Sequence, residues 1–117
     1  MHRFKELEIW KRSRLFSSSI YEVTSKFPSS EKFGLTNQLR RASVSIPSNI
    51  AEGSSRNSDK DFIHFLRIAI GSAYEIETQL LIAHDLGFLS KENLQKLIKE
   101  LEEIIKMSSK FASILKS

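Results

Sequence analysis

Apolar residues recur along this chain at three- and four-residue intervals, the repeat that gathers side chains on one side of an α-helix. Stepping about 100° per residue separates the chain into four such segments. The first runs from about Lys5 to Phe27, with Ile9, Phe16, Ile20, Val23 and Phe27 on one face, and stops before Pro28, which cannot continue it unbroken. The second starts near Lys32. Its stripe of Leu35, Leu39, Ala42, Ile46 and Ile50 ends at Gly53, a residue suited to the left-handed turn past a helix end. The third opens at Ser58, whose hydroxyl can cap the helix with Asp61 three positions on, and closes at Leu86 and Gly87. The fourth begins at Ser90 and carries Leu94, Leu97, Ile98, Leu101, Ile104, Ile105 and Leu115 on one side. No alternating run is long enough for a strand, and no Asn-Gly or Asp-Gly hairpin turn appears. Short connections between four long helices predict an all-α, antiparallel up-and-down four-helix bundle, one domain over residues 1–117.

The second stripe holds its phase through Pro47, so helix 2 is expected to continue, kinked, through a residue that costs about 3 kcal/mol in a helix interior. The carbonyl left without a donor there is that of Ser43, and Ser45 and Ser48 flank the bend with hydroxyls available to it.

Two helices carry more apolar surface than one bundle interior can use. On helix 1, Leu7, Trp10 and Tyr21 lie nearly opposite the main stripe, and on helix 3, Ile63, Ile70, Tyr74 and Leu81 widen it past a single contact surface. Apolar surface rimmed by charge marks a protein interface, so a homo-oligomer is expected, joined through Leu7, Trp10, Tyr21, Ile63, Ile70 and Tyr74.

Four motifs in order carry a family resemblance: Gln38 to Ala42 (QLRRA), Ser45 to Gly53 (SIPSNIAEG), Phe65 to Ser72 (FLRIAIGS) and Glu75 to Leu80 (EIETQL), preceded by LEIW and IYEVTSKFP in helix 1. The stretch from Phe33 to Leu89 closely resembles the four helix bundle protein family, also called the 23S rRNA intervening-sequence protein family. That resemblance implies a non-enzymatic bundle whose relatives include open reading frames inside ribosomal RNA genes and the accessory protein of diversity-generating retroelements. The accessory relatives form basic homopentameric barrels that bind nucleic acid and a reverse transcriptase. Carried over, it implies a homopentamer, RNA or DNA as a partner, and a reverse transcriptase as a further one.

Charge agrees in sign. Eighteen Lys and Arg against fourteen Asp and Glu leave +4 per chain, a modest value that five copies would raise to about +20. The cations cluster as Arg3, Lys5, Lys11, Arg12 and Arg14 at the start of helix 1, beside Trp10, and as Arg40 and Arg41 in helix 2; these are the expected nucleic-acid-binding residues. Lys96, Lys99, Lys106 and Lys110 on helix 4 alternate with Glu102 and Glu103 and read as a solvated face.

Glu77 falls inside the apolar sector of helix 3, where a lone carboxylate is expensive, so it is expected to pair with Arg41 or Asn49. With Glu52, Gly53 and Gly71, these residues form an expected polar joint at which small side chains let helices 2 and 3 approach closely.

No catalytic set emerges. His2, His64 and His84 are scattered, no His-Glu-x-x-His occurs, and Glu75 and Glu77 diverge around their helix, so no metal and no cofactor are expected. Arg56 and His64 are separated by seven residues, outside the four to six of HEPN-type ribonucleases. The absence of cysteine removes disulfide and thiol chemistry and suits a reducing cytoplasm. With a charged opening and no long apolar run, no signal peptide, membrane span or membrane association is expected.

Overall fold

The computed structural model describes residues 2–117. Its helices are α1 (Glu8–Thr24), α2 (Leu35–Ser54), α3 (Asp59–Asp85) and α4 (Lys91–Lys116); single 3-10 turns, Phe4–Glu6 and Ser29–Glu31, precede α1 and α2. Among the described residues there is no strand, and the all-α four-helix bundle measures 44 × 23 × 20 Å. No described helix is long and apolar enough to cross a membrane.

Helix ends follow from local chemistry. Ser58 Oγ accepts the Asp61 N–H and Ser90 Oγ accepts the Asn93 N–H, each at 3.1 Å, so α3 and α4 start on a hydroxyl that satisfies an orphan donor. Gly87, with φ of 79°, turns the chain out of α3, and His84 Nδ1 donates to the Leu89 carbonyl at 2.8 Å across that turn.

Four boundaries differ from the periodic pattern, the first being the end of helix 1 at Thr24 and not Phe27, since residues 25–27 turn with Phe27 N–H on the Thr24 carbonyl. Helix 1 starts at Glu8 and not Lys5, because the 3-10 turn folds Phe4 against Trp10, ring centroids 5.1 Å apart. Helix 2 starts at Leu35 and not Lys32, where Glu31 Oε1 reaches over to accept the Leu35 N–H at 3.0 Å. Gly53 is no left-handed stop: it is buried inside the last turn of α2. A Cβ there would lie 2.8 Å from Phe62 Cδ1 and from Phe65 Cβ, so its missing side chain is what lets α2 settle on the aromatic rings of α3. Through Pro47 α2 continues as one uninterrupted helix.

The helices contact in the cyclic order α1, α2, α3, α4; α2 and α3 meet most extensively and α1 and α4 most sparsely. Phe16, Ile46, Phe62, Leu66, Leu80 and Leu101 are almost entirely removed from water at the centre. Between the helices small hydroxyls take over. Ser17 Oγ and Ser43 Oγ meet at 3.1 Å between α1 and α2, and Ser45 Oγ and Ser72 Oγ at 2.9 Å between α2 and α3. Because Ser43 Oγ donates to the Arg40 carbonyl, its oxygen is left to accept from Ser17. Ser45 Oγ accepts from Asn49 Nδ2 at 2.9 Å, which leaves its proton for Ser72.

Candidate nucleic-acid interface

The serine contact between α1 and α2 fixes how far those helices stand apart, and an open hollow of about 420 Å³ lies along the same seam. Arg14, Ser17, Ser18, Tyr21, Val44 and Pro47 line it, and no carboxylate is among them. Two arginines lie on aromatic faces at this seam. The Arg14 guanidinium is 5.3 Å from the Trp10 ring centroid, and that of Arg40 is 4.6 Å from the Tyr21 centroid. Arg40 is held further by Nε donating to Thr24 Oγ1 at 2.9 Å and Nη2 donating to the Tyr21 carbonyl at 3.3 Å. Thr24 Oγ1 passes its own proton to the Ile20 carbonyl at 2.7 Å, so its oxygen is oriented to receive Arg40.

Lys11 and Arg41 are exposed, and α2 contains no Asp or Glu before Glu52. Guanidinium N–H groups beside an aromatic edge and serine hydroxyls can meet phosphate oxygens and a base together. The remaining predicted cations are placed differently. Arg3 lies 3.7 Å from Glu6 and Arg12 3.9 Å from Glu8, exposed pairs of little energetic worth that still lower the local positive field. Arg12 also turns toward the α1–α4 side, where it lines a second hollow with Leu15, Lys99, Glu100 and Glu103. Lys5 stands 6.0 Å over the Phe4 ring, at the bundle's end.

Of the residues predicted to join subunits, Tyr21 and Tyr74 are well exposed, at 44% and 56%. Leu7 and Trp10 pack on the subunit's own core, and Ile63 and Ile70 are half-buried. The second apolar face expected on helix 1 is therefore largely spent inside the subunit, because the 3-10 turn draws Leu7 and Trp10 inward.

The polar joint between α2 and α3 exists, with other members than predicted. Glu77 is half-buried and makes no ion pair or hydrogen bond with Arg41 or Asn49; Asn49 Nδ2 instead donates to the Ser45 carbonyl at 2.8 Å and to Ser45 Oγ. Arg41 is exposed, and Glu52 pairs with Arg56 at 2.8 Å. Gly53 is part of the close approach, whereas Gly71 faces open space. Ser72, one residue on, makes the contact. Gln79 Nε2 donates to Gln38 Oε1 across the joint at 3.5 Å and, within α3, to Glu75 Oε2 at 3.1 Å.

Arg56 lies 4.9 Å over the Phe65 ring as well as on Glu52, so it is committed to packing. No group of three metal-ligating side chains occurs among the described residues. Sequence reasoning missed the roles of Tyr21 and Thr24 in orienting Arg40, and the exposure of Leu15, Ile68, Ile82 and Leu86. The last three could have been found: they lie together on the side of helix 3 away from its core stripe.

Comparison with known proteins agrees with the motifs. The family model described as 23S rRNA-intervening sequence protein matches residues 5–110. A solved structure of a protein of unknown function from the S23 ribosomal protein family of Bacteroides thetaiotaomicron is 27% identical, covers 93% of this chain and 96% of its own, and superposes with a TM-score of 0.82. No curated protein matches the chain.

Proposed function

Because the chain belongs to the 23S rRNA-intervening sequence protein family, we propose that it is a non-enzymatic accessory factor of the cytoplasm that self-assembles and binds RNA or DNA across its α1–α2 face. The observation that carries this reading is the carboxylate-free hollow flanked by the Arg14–Trp10 and Arg40–Tyr21 pairs. A charge of +4 is too small for tight binding by one subunit, so assembly supplies the affinity by repeating the face. The pentamer and the reverse-transcriptase partner rest on the family resemblance alone.

The test is an anisotropy titration against a structured RNA hairpin and a single-stranded DNA at 50 and 200 mM salt. Four phosphate contacts from Lys11, Arg14, Arg40 and Arg41 to a duplex stem predict a loss of about a hundredfold over that range. Arg14→Ala should weaken binding about tenfold, the worth of one stacked cation contact. Absence of binding at 50 mM salt, or affinity indifferent to salt, overturns the nucleic-acid reading and leaves a module that binds only protein.

A further inference from the structure

Gly71 stands in the middle of α3, exposed, and a Cβ built on it would meet nothing within 4 Å. Glycine weakens a helix interior relative to alanine, and nothing inside the subunit requires that loss here. A helix approaching from outside would require it, since a missing Cβ lets two backbones come close. The outer face around Gly71 is dressed for such contact. Ile68, Tyr74, Leu81 and Ile82 are all 40% or more exposed, four of the ten exposed large hydrophobics among the described residues.

Charge on this face changes sign at the same point. Lys60 and Arg67 are exposed on its N-terminal side and Glu75 and Asp85 on its C-terminal side; from Ile68 to Ser90 no Lys or Arg occurs. Asp59, which lines one hollow with Lys60 and Arg67, and Asp61 complement the helix dipole in the first turn, so the contrast beside Gly71 rests on Arg67 and Glu75, four residues to either side of it.

We propose that α3 packs against α3 of a second copy, antiparallel, about a two-fold axis beside Gly71. This rests on the self-assembly part of the reading above and adds a two-fold contact to it. An antiparallel pair sets Arg67 of each helix against Glu75 of the other, four residues to either side of Gly71, so a single patch complements itself, as an isologous contact must. A parallel pair would set Glu75 against Glu75. The contact is separate from the head-to-tail contacts that close a ring, and it joins two copies whether or not each belongs to one.

The chain has no cysteine, so Gly71→Cys supplies one thiol beside the axis. Mild oxidation should convert most of the protein to a covalent dimer on a non-reducing gel. Gly71→Leu, which the open space in the subunit accommodates, should raise the dissociation constant at least tenfold in sedimentation equilibrium with helical content unchanged. Arg67→Glu and Glu75→Arg should each weaken association about fivefold, and the double variant R67E/E75R should return to within threefold of wild type, because reversing both ends restores the match. A wild type that stays monomeric at every concentration overturns this contact and self-assembly together. An oligomeric wild type with an unchanged G71L variant and no G71C cross-link overturns this contact alone.

Discussion

Gly53, in the last turn of α2, and Gly71, in the middle of α3, stand in opposite circumstances, and the contrast separates what the subunit needs for itself from what it leaves for others. At Gly53, Phe62 and Phe65 press to within 2.8 Å of where a side chain would begin. At Gly71 the same construction meets nothing. The residue type is identical, and each glycine costs its helix something against alanine, about 1 kcal/mol at the mid-helix Gly71 and less at Gly53 near a helix end. One cost is offset by aromatic packing inside the subunit; the other has no counterpart there. A glycine is thus explained by its surroundings and never by its identity.

The sharpest way to break the contrast is to remove what covers Gly53. Phe62→Ala should cost about 3–5 kcal/mol in urea unfolding, as emptying a fully buried aromatic site does. Gly53→Ala should destabilise by about 1–3 kcal/mol through overpacking. In the Phe62→Ala background part of that penalty should vanish, since half of the clash has gone. Equal penalties in both backgrounds would mean that Phe62 is not what limits the approach.

Gly71→Ala should move the other way, stabilising the dissociated subunit by about 1 kcal/mol in dilute thermal or urea unfolding. A destabilised variant would reveal a constraint inside the subunit that the open space around Gly71 does not suggest. The smallest effect is expected at Glu77→Gln. With no partner at Arg41 or Asn49 to lose, stability should stay within about 0.5 kcal/mol of wild type.

Most of the architecture is legible in the sequence alone. Leu35, Leu39, Ala42, Ile46 and Ile50 announce α2 by period, Ser58 and Ser90 announce two helix starts, and Gly87 a helix stop, because each signal acts over a single turn of chain. What periodicity lacks is knowledge of which neighbour lies beside which flank. It placed Glu77 in the apolar sector of α3 correctly, yet its half-buried position brings it to no cation. It took Gly53 for a stop because the polar loop SSRN follows, whereas the aromatic rings that need the glycine arrive from α3. The candidate site was half visible: Arg14 beside Trp10 is a local, one-turn relation, while Arg40 depends on Tyr21 and Thr24, sixteen or more residues away.

Arg40 differs from the other cations in being at rest. Two hydrogen bonds and the Tyr21 ring already fix its guanidinium, so little freedom remains to be lost when an anion arrives. Lysines such as Lys11, exposed on a mobile stem, attract a polyanion from a distance without gripping it. Division of labour follows in time: neutralising the loose lysines should slow capture, and disturbing Arg40 should shorten the life of the complex once formed.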